Sequence, residues 1–148
     1  MQIREANIED FPRLMEIRLA VKENRLSDPS LVPFEAYVEY ITQRGKGWVS
    51  LEGETITGFA VADLEDHNVW ALFVDPPFEG RGAARALQQT MLEWYFGQTG
   101  HTLWLGTAPD SRAASFYRKS GWTEIGLRKN GEIRFEMTKA DWERIFSS

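Results

Sequence analysis

Between positions 69 and 91 the chain reads VWALFVDPPFEGRGAARALQQTM, and this stretch restricts the fold more than any other. VWALFV, residues 69 to 74, is an unbroken apolar run, the pattern of a central strand buried on both faces. Pro76 and Pro77 then interrupt regular pairing, and Gly80 and Gly82 can take positive φ without a Cβ penalty. From Ala83 a period near 3.6 places Leu87, Met91, Trp94 and Tyr95 on one helical face, with Gly97 as the expected stop. The stretch is therefore a strand feeding a long helix through a glycine loop.

Such a junction is a natural anion site. The first N–H groups of a helix have no partner within it, and the positive end of its dipole lies there. Ala83 and Ala84 keep the first turn small, and Arg81 and Arg85 add charge suited to phosphate oxygens. A strand-to-helix connection also uses glycine for purely structural reasons, so the residues alone leave both readings open. GxxxxGK[ST] is absent, and a dinucleotide GxGxxG would need glycine where Arg85 stands, so neither a P-loop nor a Rossmann fingerprint is present.

The rest of the chain alternates in the same way. QIREA, residues 2 to 6, reads as a strand; Asn7 and Asp10 form a capping pair for a helix running to about Glu23, with Phe11, Leu14, Met15 and Val21 on its apolar stripe. RLSDPSLVP, residues 25 to 33, reads as a loop, and residues 34 to 43 as a second helix ended by Gly45. After Gly47, residues 48 to 64 make a hairpin around Glu52, Gly53 and Glu54. TLWLGT (102–107) is a buried strand, SRAASFYRKSGW (111–122) a short helix stopped at Gly121, and residues 122 to 138 a closing hairpin whose Asn130 and Gly131 suit a type I′ turn. The expectation is one mixed α/β domain over residues 1–148.

Composition narrows the chemistry. With 148 residues, 43% hydrophobic and 26% charged, the chain matches a globular average, and no apolar run approaches the roughly 20 residues that cross a bilayer. The opening MQIREANIED has no apolar signal core, so a cytoplasmic protein with no membrane partner is expected. Cysteine is absent and His67 and His101 are the only histidines, which removes thiol nucleophiles and the usual metal clusters. A net charge of -5 argues against nucleic-acid binding.

Two blocks together resemble the GCN5-related N-acetyltransferase family. Val74, Asp75 and Pro76 match a strand ending in VxP, and Glu79 through Ala84 match the Q/RxxGxG/A that opens the family's helix. Further on, DSRAASFYRKSGW matches NxxAxxFYxxxGF through Asp110, Ala113, Phe116, Tyr117, Gly121 and Trp122. Glu79 replaces Gln or Arg, Asp110 replaces Asn, and Pro77 doubles the proline. The resemblance implies a central mixed, mostly antiparallel sheet of about six to seven strands flanked by helices, with a splayed pair of central strands. It also implies acetyl-coenzyme A as co-substrate and no metal. Main-chain groups of Phe73 and Val74 would pair with the pantetheine arm, and Gly80, Arg81, Gly82, Ala83 and Ala84 would hold the pyrophosphate, with Asp110 also at the coenzyme. Asp110 would cap the short helix.

The implied reaction is direct attack of a primary amine of a small molecule or peptide on the thioester. Tyr117 would protonate the leaving thiolate, since an ordinary phenol is still protonated at neutral pH. Glu65, Asp66 and His67 precede the central strand, and His67 has the most suitable pKa for a base; the same cluster also reads as a solvated turn. Phe34, Tyr37 and Trp70 are candidates for the acceptor pocket or for the core, and the loop 24–33 would bound that pocket. Residues 108–122 carry +2 (Arg112, Arg118 and Lys119 against Asp110), leaving -7 on the rest, a split that suits an anionic coenzyme and a cationic amine. A non-catalytic acyl-coenzyme A sensor is the alternative. Trp142, Ile145 and Phe146, behind the last hairpin, fit either a homodimer face or a cap on the core.

Overall fold

The computed structural model describes residues 1–21 and 32–146. The chain runs β1 (Gln2–Glu5), α1 (Phe11–Ala20), α2 (Phe34–Val38), β2 (Gly45–Glu52), β3 (Thr55–Asp63), β4 (Asn68–Val74), α3 (Ala83–Gln98), β5 (Leu103–Thr107), α4 (Arg112–Lys119), β6 (Thr123–Leu127), β7 (Ile133–Met137) and α5 (Lys139–Phe146). The strands form one sheet in the order β1-β2-β3-β4-β5-β7-β6. Every neighbouring pair is antiparallel except β4 and β5, which is the mixed, mostly antiparallel sheet that the family resemblance implies.

Each face of the sheet buries its own apolar cluster. On one side Phe11, Leu14 and Ile17 of α1 and Tyr37 of α2 pack on Val49, Phe59, Ala71 and Phe73. On the other, Leu87, Met91, Leu92 and Tyr95 of α3 and Tyr117 of α4 pack on Ala60, Leu105 and Phe135. α5 lays Trp142, Ile145 and Phe146 against this second cluster, so these residues cap the core.

Several local expectations are corrected. α1 ends at Ala20, where Val21 turns extended; the rest of the expected helix and most of the 25–33 loop fall outside the described residues. The second helix widens into a π turn over Glu39–Arg44 and ends, as expected, at Gly45, which starts β2 directly and where a Cβ would overlap the Ala62 carbonyl oxygen. Gly97 lies inside α3, which stops at Thr99 instead, its N–H bonded to the Tyr95 carbonyl at 3.1 Å. The last hairpin turns through Arg128–Glu132; only Gly131 takes positive φ, so the two left-handed residues of a type I′ turn are not formed.

The feature that matters for function is the meeting of β4 and β5. A bulge at Trp70 breaks the β3–β4 register, since Val61 faces Ala71 while Ala62 faces Val69. Such an extra residue bends the strand. β4 and β5 then share one pair, Asn68 opposite Trp104, and separate toward Val74 and Thr107. The expectation that β4 is buried on both faces is therefore corrected: Trp70, Leu72 and Val74 are only half-buried, because they border the gap.

Candidate active site

The gap is a cleft of about 700 Å³ whose walls include Trp70, Phe73 and Val74 of β4, Leu105, Gly106 and Thr107 of β5, and Phe116 and Tyr117 of α4. That volume suits a small-molecule ligand. Beyond Asn68, β4 gives no strand hydrogen bonds to β5, so the main-chain edge of Phe73 and Val74 is left to a ligand.

At the end of β4 a single 3-10 turn, Pro76–Phe78, leads to the glycine loop. Gly80 and Gly82 have φ of +79° and +87°, as their positions required, and Gly82 caps α3. A Cβ on Gly80 would meet nothing within 4 Å, so what glycine supplies there is conformation and open approach to the main chain. The first helical bond at this end is Ala86 N–H to the Gly82 carbonyl, 3.1 Å, which leaves the N–H groups before it without a helical partner. Gly80, Gly82, Ala83 and Ala84 line the cleft beside them.

The two loop arginines part company. Arg81 pairs with Glu52 at 2.7 Å and stacks on Phe78, and it does not line the cleft. Arg85 does line it, exposed and with no ion pair among the described residues. Glu79 also faces the cleft, but Arg112 pairs with it there. The carboxylate that departs from the family pattern is thus neutralised by a cation in the first turn of α4. A cation there works against the helix dipole, and this was the available sequence signal that Arg112 has work outside its helix.

α4 is fixed at both ends. Ser111, not Asp110, is its N-cap, accepting from the Ala114 N–H at 3.0 Å; Asp110 is exposed, at a φ of 58°, and does not line the cleft. At the other end Gly121 takes φ of +94°, the Trp122 N–H bonds to the Tyr117 carbonyl at 3.1 Å and the Gly121 N–H to the Arg118 carbonyl at 3.3 Å. This C-terminal motif clamps the turn that carries Tyr117. The Tyr117 ring packs against Phe116, Trp122 and Phe135, and nothing among the described residues hydrogen-bonds its hydroxyl. Burial pushes the phenol well above its ordinary value, so it stays protonated.

His67 is not brought to the cleft. It sits in the turn before β4 and does not line the cleft, and the six residue steps from Asn68 to Val74 put roughly 20 Å of strand between it and the glycine cradle. In that turn its Nδ1 is 2.9 Å from the Tyr95 hydroxyl and its ring stacks on His101 at 3.7 Å. Burial, and then the His101 charge, lower its pKa. Asp66 and Glu65 pair with Arg44 in the same turn. Trp70 lines the cleft, whereas Tyr37 is buried in the core and Phe34 packs against it.

A sequence model described as the acetyltransferase (GNAT) family matches residues 4–122. The chain belongs to this family. It is 28% identical over 128 residues, 82% of each chain, to a ribosomal protein bS18-alanine N-acetyltransferase of Haemophilus ducreyi. To the same-named enzyme of Haemophilus influenzae it is 26% identical over 126 residues, 82% of this chain and 80% of that one. Among solved structures, the GNAT fold here superposes on PaiA N-acetyltransferase of Thermoplasma acidophilum in complex with coenzyme A, with a TM-score of 0.80, 15% identity, and coverage of 93% and 98%.

Proposed function

We propose that this GNAT enzyme transfers the acetyl group of acetyl-coenzyme A to the α-amine of a peptide N-terminus. The observation that carries the transfer is the cleft itself: a glycine cradle, an unpaired strand edge and an unpartnered phenol meet in one space. The similarity to bS18-alanine N-acetyltransferases, over about four fifths of each chain, supports a peptide amine as acceptor.

Each group has one task. The free N–H groups at the start of α3 and Arg85 bind the pyrophosphate, and the main-chain edge of Phe73 and Val74 aligns the pantetheine arm. An N–H of that edge polarises the thioester carbonyl. The neutral amine attacks the carbonyl carbon, the carbon–sulfur bond breaks, and Tyr117 passes a proton to sulfur. The proton lost by nitrogen restores the balance, giving an amide and a free thiol. His67 takes no part in this scheme; it does not line the cleft and lies at the opposite end of β4 from the glycine cradle, which leaves attack by the free amine without a dedicated base. A protein using acetyl-coenzyme A on peptide termini also fits the cytoplasm, and no described helix is long and apolar enough to cross a membrane.

The test is thiol release with a panel of peptides, free amino acids and polyamines, the acetylated nitrogen being located by mass spectrometry. Acetylation at peptide α-amines is expected. Turnover with polyamines alone would overturn the peptide reading.

A further inference from the structure

Behind the α1 side of the cleft lining lies a cation with no ion-pair partner among the described residues. Arg18 lies in the last turn of α1, three residues before Val21, which lines the cleft. Its guanidinium carbon is 5.0 Å from the Trp70 ring centroid and 4.9 Å from that of Phe73, both cleft-lining residues. These rings satisfy the faces of the guanidinium. Its N–H donors lie in the plane, and they need an acceptor there. Among the described residues Nε and Nη1 are buried with no hydrogen-bond partner, and no carboxylate pairs with Arg18. The Tyr37 hydroxyl, near enough to Arg18 to act on its charge, is also buried and meets no geometric hydrogen-bond partner among the described residues. Helix dipoles favour a cation at this end of α1, but no carbonyl of that turn accepts from it.

We propose that Arg18, with Tyr37 beside it, is the acceptor-specificity site of the enzyme and takes a carboxylate carried close to the reactive amine. The chemistry is that of the donor set: two in-plane N–H groups of Arg18, held against the cleft-lining rings of Trp70 and Phe73, and the neighbouring Tyr37 O–H find no acceptor among the described residues. Burial also lowers the Arg18 pKa, and a bound carboxylate would reverse that cost. The cation would at the same time repel acceptors with a second positive charge near the amine, such as polyamines. Two sources fit: an acidic side chain near the start of a peptide, or the α-carboxylate of a free amino acid. The proposal rests on the acetyl-transfer reading above and deepens its choice of acceptor.

The experiment compares kcat/KM for peptides carrying Asp or Asn at each of the first three positions, and for free aspartate and glutamate against their amides and against alaninamide. In the wild-type enzyme at least one Asp peptide is expected to exceed its Asn partner by about tenfold or more, mostly through KM. Equal rates for all Asp and Asn pairs, with good turnover of both, would overturn the carboxylate site and leave the peptide reading standing. Activity confined to free amino acids, lost when their α-carboxylate is amidated, would support the site and overturn the peptide reading. Arg18→Gln should bring the preference close to one, while Arg18→Lys keeps part of it. A folded Arg18→Gln enzyme that retains the full preference would refute the assignment. If that variant does not fold, the wild-type charge preference decides alone.

Discussion

The two ends of the β4–β5 pair are built from the same strands and differ in what their polar groups meet. At the Asn68 end the strands are pinned: the Trp104 N–H bonds to the His67 carbonyl at 3.0 Å and its indole N–H to the Asp66 carbonyl at 2.9 Å. Arg44 holds Asp63 at 2.6 Å and Asp66 at 2.9 Å, with Glu39 and Glu65 around the same guanidinium, and the buried Asn68 Oδ1 is left here without a partner among the described residues. At the Val74 end the strands have separated, and main-chain edges, helix-terminal N–H groups, the Tyr117 hydroxyl and Arg85 show no partners among the described residues. The pinned end holds the sheet; the open end is left to substrate. Substitutions at the two ends should therefore fail in different ways.

The largest effect is expected at the open end. Gly82→Asp puts a Cβ at a φ of +87° and a carboxylate where the cradle receives phosphate. Two unit charges about 4 Å apart repel by about 4 kcal/mol at an effective dielectric near 20, so coenzyme affinity should fall on the order of a thousandfold. Calorimetry with coenzyme A measures this, with circular dichroism confirming the fold. Affinity within tenfold of wild type would mean that the loop does not carry the pyrophosphate.

Next comes the closed end. Arg44→Ala leaves the Asp63 side chain, fully buried at 0% exposure, without its guanidinium. Removing one partner of a buried pair costs about 3 kcal/mol or more, so the urea midpoint should drop sharply while coenzyme affinity stays within a factor of two. Loss of coenzyme binding in a folded variant would show that the two ends are not independent.

The same contrast explains what could be read from the chain alone. The strands and helices were legible because their apolar periods are long, and the cradle because Gly80 and Gly82 need no neighbours to declare positive φ. Partners were not legible, because they come from distant positions. Nothing local tells that Arg81 turns to Glu52 while Arg85 stays at the cleft, or that Arg112 neutralises Glu79. His67 had the right intrinsic chemistry, but strand direction decided its place, and the splay began at the other end of β4. Asp110 was a sound capping residue by type; Ser111, one position on, makes the bond. The Trp70 bulge, which opens the cleft, has no composition signal, since the run VWALFV reads the same whether or not a residue is skipped.

Returning to the open end, Tyr117→Phe keeps the ring packing with Phe135 and Trp122 and removes only the hydroxyl. Turnover should fall about a hundredfold, the low end for loss of a positioned proton donor, with the coenzyme dissociation constant nearly unchanged. A fall in affinity with turnover preserved would make Tyr117 a packing residue.

The smallest effect is a pH dependence at the closed end. Burial and the neighbouring His101 lower the His67 pKa in the folded chain, so the unfolded chain binds more protons as pH falls below about 6.5. The neutral imidazole is the form the fold prefers, and with its proton on Nε2 its Nδ1 accepts the Tyr95 O–H, a phenol itself pushed up to about 12 by burial and therefore a donor throughout. The stability this supplies is fully present above pH 6.5 or so and is lost as the pH drops through the folded pKa, by less than about 1 kcal/mol. His67→Asn tests it, since asparagine tolerates the φ of 57° at this position. The variant should show a flatter urea midpoint between pH 7 and 5 than wild type, with unchanged turnover at pH 8. An unchanged slope would assign the titration to other groups, and a loss of turnover would return His67 to the chemistry and break the separation of the two ends.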